Sequence, residues 1–293
     1  GKDRLTVLTS LVVCFGISVR PKMDMPAFRG ILSKARKLLV VTGAGISVES
    51  GVPTFRGEGG FWRKYASKDL ATPEAFAKNP SLVWEFYHYR RELVKTKSPN
   101  AGHKALAELE QLFITANRSF LLATQNVDGL HERAGSKNLV ELHGSLFKVR
   151  CTQCNKVSVN TDSPICSALD GRGTPDVSEN AAPAIPVTQL PRCAEPGCGG
   201  LLRPHVVWFG ETLNPLDLDR ANRAALEADV CLVVGSSSVV YPAAGLALTV
   251  AERGFPVAEV NVESTPATPS VLFYFEGKAG TILPKLIDNL ELC

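Results

Sequence analysis

Leu38-Leu39-Val40-Val41-Thr42-Gly43-Ala44-Gly45-Ile46-Ser47 is an apolar run that breaks into small residues, and the reading of the rest of the chain depends on it. Four aliphatic residues in succession suit a strand buried on both faces, as in a parallel sheet covered by helices. The small residues after it leave a gap the size of a phosphate. Two glycines let the backbone approach a pyrophosphate, and a helix opening near Ser47 points free N–H groups at the anion. Val48 stands where the third glycine of G-x-G-x-x-G is expected, so these residues alone also allow a tight strand-to-helix turn. Glu49 to Gly57 then supplies Pro53, Gly51 and Arg56 where a dehydrogenase continues its helix, which suits a loop covering a ligand.

Working outward, Met25 to about Ala35 reads as a short helix with Phe28, Ile31 and Leu32 at helical spacing. Before it, Leu5 to Val19 is almost entirely apolar but shorter than the ~20 residues of a membrane span. Residues 1–25 read as a leader or targeting segment outside the fold. From Gly57 to Pro99 the composition turns aromatic and basic, and Thr72-Pro73 and Asn79-Pro80 look like caps opening two helices of an inserted module.

Asn100 to Leu112 reads as an amphipathic helix with Ala105, Leu106 and Leu109 inward, and Ser119 to Thr124 as the next buried strand. Gln125, Asn126 and Asp128 stand at its carboxyl end, the edge where parallel sheets bind ligands, although Asn126 or Asp128 could equally cap a helix. His143 follows a third apolar stretch, Leu139 to Leu142; an imidazole held there could take a proton from a sugar hydroxyl, or be structural. Arg203 to Glu211 and Ala228 to Ser238 read as further strands ending at the same edge. Val257 to Glu263 is another, ending in Asn261 and Glu263, types suited to ribose hydroxyls. A loop at Gly277 to Gly280 and a helix from Pro284 to Leu292 close the domain.

Between these strands, Phe147 to Arg203 is rich in Ser, Pro, Gly and Asp and holds Cys151-x-x-Cys154 and, 39 residues later, Cys193, followed by Cys198. Two turn-spaced thiolate pairs across a long spacer fit a closed, four-sulfur structural zinc site of ribbon type, and Cys166 stands apart as a non-ligand. Eight cysteines in 293 residues do not make a disulfide scaffold. A net charge of +3 is too mild to argue for nucleic acid.

In this order the motifs resemble the sirtuin family of NAD-dependent protein deacylases over about residues 28–290. They are Gly43-Ala44-Gly45-Ile46-Ser47, Gly51 to Arg56, Thr124 to Asp128, His143-Gly144, both cysteine pairs, Phe209-Gly210-Glu211, Gly235-Ser236-Ser237 and Asn261-Val262-Glu263. Phe86-Tyr87-His88-Tyr89-Arg90-Arg91 is similar to the acyl-pocket helix of the class III subtype, the mitochondrial desuccinylases, demalonylases and deglutarylases.

The resemblance implies an α/β fold: a Rossmann-like parallel-sheet domain (26–56, 100–146 and 204–293), a helical module with the acyl pocket (57–99) and a zinc-binding small domain (147–203). It implies NAD as co-substrate, held by Gly43, Ala44, Gly45, Ser47, Glu49, Phe55, Arg56, Trp62, Gln125, Asn126, Asp128, Gly235, Ser236, Ser237, Asn261, Glu263 and Ala279. One structural zinc would sit on Cys151, Cys154, Cys193 and Cys198. The acyl oxygen of a modified lysine would attack the ribose anomeric carbon as nicotinamide leaves; His143 as general base would let a ribose hydroxyl attack the imidate carbon, and water would release free lysine and O-acyl-ADP-ribose. Tyr87 and Arg90, three apart on a helix, would face an acidic acyl group, where a guanidinium pairs bidentately with a carboxylate. Acyl-lysine peptides would bind as an added strand at Phe209, Gly210 and Tyr241. A monomer of the mitochondrial matrix is expected, with cytosol and nucleus as the other compartments, and neither nucleic acid nor membrane as partner. An acetyl-preferring deacetylase, a mono-ADP-ribosyltransferase and a non-catalytic NAD or acyl-lysine sensor stay open on the same scaffold.

Overall fold

The computed structural model describes residues 21–54, 60–175 and 183–293. Most of the expected leader, and Phe55 and Arg56 of the expected loop, lie outside the described residues. In chain order the strands are β1 (Lys37–Thr42), β2 (Phe61–Trp62), β3 (Tyr65–Ala66), β4 (Ser119–Thr124) and β5 (Leu139–Glu141). They continue as β6 (Gly144–Cys151), β7 (Val157–Val159), β8 (Leu202–Val206), β9 (Val230–Val234), β10 (Val257–Asn261) and β11 (Phe273–Glu276).

Six of them form a parallel sheet in the order β11-β10-β9-β1-β4-β5. Counted along the chain within the sheet, that is 6-5-4-1-2-3, the doubly wound order of dinucleotide-binding domains. The chain reverses its winding between β1 and β9, so the crevice beyond their carboxyl ends is where such a sheet binds its ligand.

The unbroken hydrophobicity of β1 has a direct cause. Leu38 and Val40 enter one core with the helices Met25–Leu32, Ala101–Thr115 and Ala279–Ile287. Leu39 and Val41 enter the opposite core, beneath the helices Pro215–Glu227 and Ala243–Glu252. With period-2 alternation and helices on both faces, neither face of β1 can be polar.

A third core unites two segments that the sequence separates. Trp62, Val83, Trp84, Phe86 and Tyr87 of the helical module pack with Leu146, Val149, Cys151, Leu169 and Leu202 of the cysteine-bearing segment. The helix Pro80–Lys95 opens with Asn79 accepting from the Leu82 N–H at 3.0 Å, and the helix Pro73–Lys78 with Thr72 accepting from Ala75, as their sequences suggested.

The structure departs from the sequence reading in five places. The end of the expected leader belongs to the fold: Lys22 bridges Phe273 of β11 in parallel, and Asp24 caps the helix Met25–Leu32 by accepting from the Ala27 N–H at 2.9 Å. The turn after β1 is a 3-10 helix, Ala44–Ser50, which opens three residues before Ser47. The strand in Arg203 to Glu211 is β8; it pairs with β6 in a three-stranded antiparallel sheet, β7-β6-β8, and not at the edge of the large sheet. The last helix starts at Ala279 and carries Pro284 inside it. An interior proline costs about 3 kcal/mol; burial of Leu283, Leu286 and Ile287 and the Glu49 carboxylate accepting from the Gly280 N–H at 2.7 Å offset it. The strand β11 and the helices Pro215–Glu227 and Ala243–Glu252 are additional to that reading. Among the described residues no helix is long and apolar enough to cross a membrane.

Candidate active site and cysteine centre

The turn after β1 and the turn after β9 are laid against each other at the switch point. The Gly43 N–H donates to Val234 O at 3.0 Å and the Gly45 N–H to Gly235 O at 2.8 Å. A Cβ on Gly43 would stand 2.7 Å from Ser236 Cα, and one on Gly45 would stand 2.7 Å from Gly235 Cα. Gly235 is left-handed, with φ +59°, and its own Cβ would meet Ile46 N at 2.4 Å. These glycines therefore let two backbones touch, a reason the sequence reading did not contain.

Around this contact the expected polar residues converge. Gln125 Nε2 donates to Ser236 Oγ at 2.9 Å, and Asn261 Nδ2 to Ser236 O at 2.8 Å. Asn126 Nδ2 reaches both Gly43 O and Ser47 Oγ, and Ser47 Oγ donates to Asp128 Oδ2 at 2.7 Å. Asp128 Oδ1 also accepts from the Leu130 N–H in a local turn, but the helix Leu130–Ala134 opens on Gly129 without a side-chain cap, so neither Asn126 nor Asp128 is its N-cap. Ser47, Asn126 and Asp128 are all buried, which leaves a preorganised cluster of carboxylate, amide and hydroxyl at the mouth of the crevice.

Two histidines beneath the cluster went unread in the sequence. His103 Nε2 lies 3.3 Å from Ser47 Oγ, and its Nδ1 accepts from the Asn100 N–H, completing a capping box. His131 Nε2 contacts Thr42 Oγ1 at 3.0 Å, and the two rings meet edge-on at 4.8 Å. Burial presses the His103 pKa down to about 4 against the pull of Asp128 and Glu49, and holds His131 well below its ordinary value. Asn100-x-x-His103 at a helix start was the available signal.

His143, between β5 and β6, places Nδ1 3.0 Å from Gln125 O. A carbonyl can only accept, so Nδ1 carries the proton and Nε2 keeps its lone pair. Burial lowers the His143 pKa, with the Gln125 carbonyl pulling the other way. The imidazole is thus neutral near pH 7 and oriented as a base.

On the helix Pro80–Lys95, Tyr87 is fully buried and Arg90 partly exposed. Arg90 lies over the Phe86 ring at 5.6 Å; burial lowers its guanidinium pKa, while Tyr87 and Asp128 act to raise it. The two side chains that the sequence assigned to an acyl pocket therefore share one electrostatic neighbourhood with Asp128 of the crevice. Tyr87 Oη accepts from Trp208 Nε1 at 2.8 Å.

The remaining expected residues are spread. Phe209 is 55 % exposed and Tyr241 66 % exposed, so both present rings at the surface, with Gly210 in the turn beside Phe209. Ser237 is half-buried in the turn after β9, Glu263 is exposed beyond β10, and Ala279 begins the last helix. The Trp62 ring is buried in the third core and its indole N–H donates to Gly173 O at 3.1 Å.

The four paired cysteines come together. Cys151 Sγ lies 3.6 Å from Cys198 Sγ, Cys154 Sγ lies 3.7 Å from Cys193 Sγ, and all four sulfurs fall within 4.8 Å of one another. None of the four is in a disulfide. Disulfide sulfurs stand about 2.05 Å apart, whereas a tetrahedron of about 2.3 Å zinc–sulfur bonds puts sulfurs about 3.8 Å apart. The site therefore fits zinc. The Gln153 and Cys154 N–H groups both point at Cys151 Sγ at 3.4 Å, the donor arrangement that favours thiolate. Cys166 stays outside, donating to Gln189 O.

A doubly wound sheet with a hydroxyl, amide and carboxylate cluster at its switch point, joined to a four-sulfur satellite unit, defines a zinc-bearing dinucleotide-site protein. The Sir2 family model matches residues 43–242, and the chain belongs to that family. It is 58% identical over 272 residues to the NAD-dependent protein deacylase sirtuin-5, mitochondrial, of Canis lupus familiaris, covering 93% of this chain and 87% of that one. It is 56% identical over 267 residues to the NAD-dependent protein deacylase of Daphnia pulex, covering 91% and 97%. The crystal structure of a Sir2 homolog–NAD complex superposes with TM-score 0.78 at 44% identity, covering 92% of this chain and 94% of that one.

Proposed function

We propose that this chain is an NAD-dependent protein-lysine deacylase of the mitochondrial matrix. It removes succinyl, malonyl and glutaryl groups and releases nicotinamide, free lysine and O-acyl-ADP-ribose. The Sir2 match and relatives bearing the sirtuin-5 name support the deacylase reading and the compartment. The observation that carries the acidic-acyl preference is the placing of Tyr87 and Arg90 together on one helix, with Asp128 of the crevice close enough to act on Arg90. An acetyl group offers that guanidinium no anion; a succinyl carboxylate does.

NAD, when bound, supplies the electrophilic ribose carbon and nicotinamide as leaving group. The turns Gly43 to Ser47 and Gly235 to Ser237 would hold its phosphates and adenosine end, with Asn261 and Glu263 toward ribose hydroxyls. Asn126 and Asp128 would orient the nicotinamide end, their geometry fixed by Ser47. His143 Nε2 would accept the ribose hydroxyl proton, since Gln125 O fixes the tautomer that allows it. Zinc on the four cysteines would be structural, with no position left for water. The peptide would run as an added strand past Phe209, Gly210 and Tyr241, on a monomeric enzyme.

Arg90→Met tests the preference with matched succinyl- and acetyl-lysine peptides. Loss of a charge-assisted pair, worth about 1.5–3 kcal/mol, should cut desuccinylation by about 10- to 150-fold while deacetylation changes far less. Equal losses would refute the carboxylate site and favour the acetyl-preferring reading.

A further inference from the structure

We infer that Trp208 is a specificity-positioning residue: its indole N–H fixes the Tyr87 hydroxyl so that the phenol's own proton is aimed at the acyl carboxylate beside Arg90. This rests on the acyl-pocket reading above and extends it to a residue outside the helix.

A tyrosine hydroxyl has one proton to give and lone pairs to accept with, while an indole N–H can only donate. The 2.8 Å bond from Trp208 Nε1 therefore occupies a lone pair of Tyr87 and leaves its proton to be placed. Among the described residues no acceptor is in place for that proton, although the Tyr87 side chain is fully buried. A buried donor in this position needs a partner, and the charged group that acts on it most strongly, Arg90, is a cation that cannot accept. A carboxylate arriving at Arg90 supplies the acceptor. Without the indole, the hydroxyl could rotate and serve as acceptor toward the guanidinium, with its proton turned away from the substrate.

Trp208 is itself held from behind. Arg203 stacks its guanidinium 3.5 Å from the indole centroid and makes two bonds to Glu211, at 2.6 and 2.8 Å. Glu211 Oε2 also accepts the Trp208 backbone N–H at 2.8 Å, and Phe76 packs against the ring at 5.3 Å. The indole is thus clamped on one face by a paired cation and pinned through its own backbone, which leaves the N–H a single direction. Trp208 lies two residues beyond β8, so the acyl-pocket helix takes its polar alignment from the small antiparallel sheet.

The test measures kcat and KM with succinyl- and acetyl-lysine peptides at saturating NAD. Trp208→Phe removes the N–H; a second variant with β-(3-benzothienyl)alanine at position 208 removes it while keeping the bicyclic shape, should the phenylalanine fold poorly. Each is expected to lower the succinyl-to-acetyl ratio of kcat/KM by about two- to tenfold, the value of one hydrogen bond, chiefly through the succinyl KM. In a Tyr87→Phe background, replacing Trp208 should not move the ratio further. The inference is overturned if both Trp208 variants keep the wild-type ratio, or if they lower it as much without the Tyr87 hydroxyl. Arg90→Met separates this failure from failure of the pocket itself. A ratio that collapses on losing Arg90 but ignores position 208 sinks only the positioning role, and a ratio that ignores both sinks the carboxylate site as well.

Discussion

Gly45→Ala is the most informative single change at the crevice, because two accounts of its glycine predict different measurements. If the residue is small to admit a phosphate, alanine weakens NAD binding and leaves the ligand-free protein alone. If it is small so that two loops can touch, alanine destabilises the protein with no ligand present. The new Cβ would stand 2.7, 2.8 and 3.1 Å from the Gly235 Cα, O and C atoms, all backbone that cannot swing aside. Gly45 does not need a left-handed backbone, so alanine by itself would stabilise by about 0.4–1 kcal/mol through the unfolded chain. Overpacking costs about 1–3 kcal/mol, and backbone neighbours put this site toward the upper end. The net is about 1–2 kcal/mol of destabilisation, or a fall of about 2–8 °C in Tm for a chain of this size. Thermal unfolding followed by circular dichroism without nucleotide reads it directly. An unchanged or raised Tm alongside lost NAD affinity would refute the loop-packing account.

Other outcomes follow from the histidines and the helix start. The His103 pKa, about 4 when folded against 6.5 for a free imidazole, means that the unfolded chain binds the extra proton between those values. Stability should therefore fall with pH through that window, by about 1.4 kcal/mol per unit for one such group; His131 adds in the same direction, and urea midpoints from pH 7 to 4.5 measure it. Replacing His143 with alanine should abolish deacylation, and the acid limb of wild-type kcat/KM should have its midpoint below 6.5, since burial lowers that imidazole. A limb well above 6.5 would exclude His143 as the base. Glu49→Gln weakens the bond to the Gly280 N–H, and should lower Tm by a few degrees at most.

The parts of the chain legible beforehand were those whose burial is total. Strands β1, β4 and β9 have cores on both faces, so their composition announces them whatever they pair with. The Asn and Thr caps before Pro73 and Pro80 announce helices because the N–H they satisfy is local. Asn214-Pro215 carries the same signature, with Asn214 accepting from the Leu216 N–H, and opens the helix Pro215–Glu227. Whether Leu202–Val206 pairs with β6 or with the large sheet is decided by partners about fifty residues away, which one strand's pattern does not encode. The Trp208–Tyr87 bond spans 121 residues and depends on three-dimensional packing for the same reason. Within the site, the strand-end rule brought Gln125, Asn126 and Asp128 to notice, whereas His103 sat inside a helix whose capping signal used histidine.

The helix Pro80–Lys95 shows where removal of zinc should be felt first. It is bolted to the cysteine-bearing unit: Trp84 Nε1 donates to Leu202 O at 2.9 Å, and Arg91 to Leu146 O at 2.5 Å and to Asn160 O at 2.9 Å. Its buried Glu85 pairs with Arg63 at 2.8 Å and with Arg172 at 2.7 Å. Losing one side of such a buried node costs about 3–5 kcal/mol. The NAD-side turns depend instead on β1, β9 and the helices packed on the large sheet. Chelation at neutral pH, or Cys154→Ser, should therefore loosen the acyl pocket before the cradle for the dinucleotide. Hydrogen exchange should speed up along residues 80–95 and 144–151 while β1 and β9 stay protected, and desuccinylation should fall further than ADP-ribose binding. Simultaneous loss of protection in both sheets would show that the zinc unit supports the whole fold, and the division argued from the separate cores would be wrong.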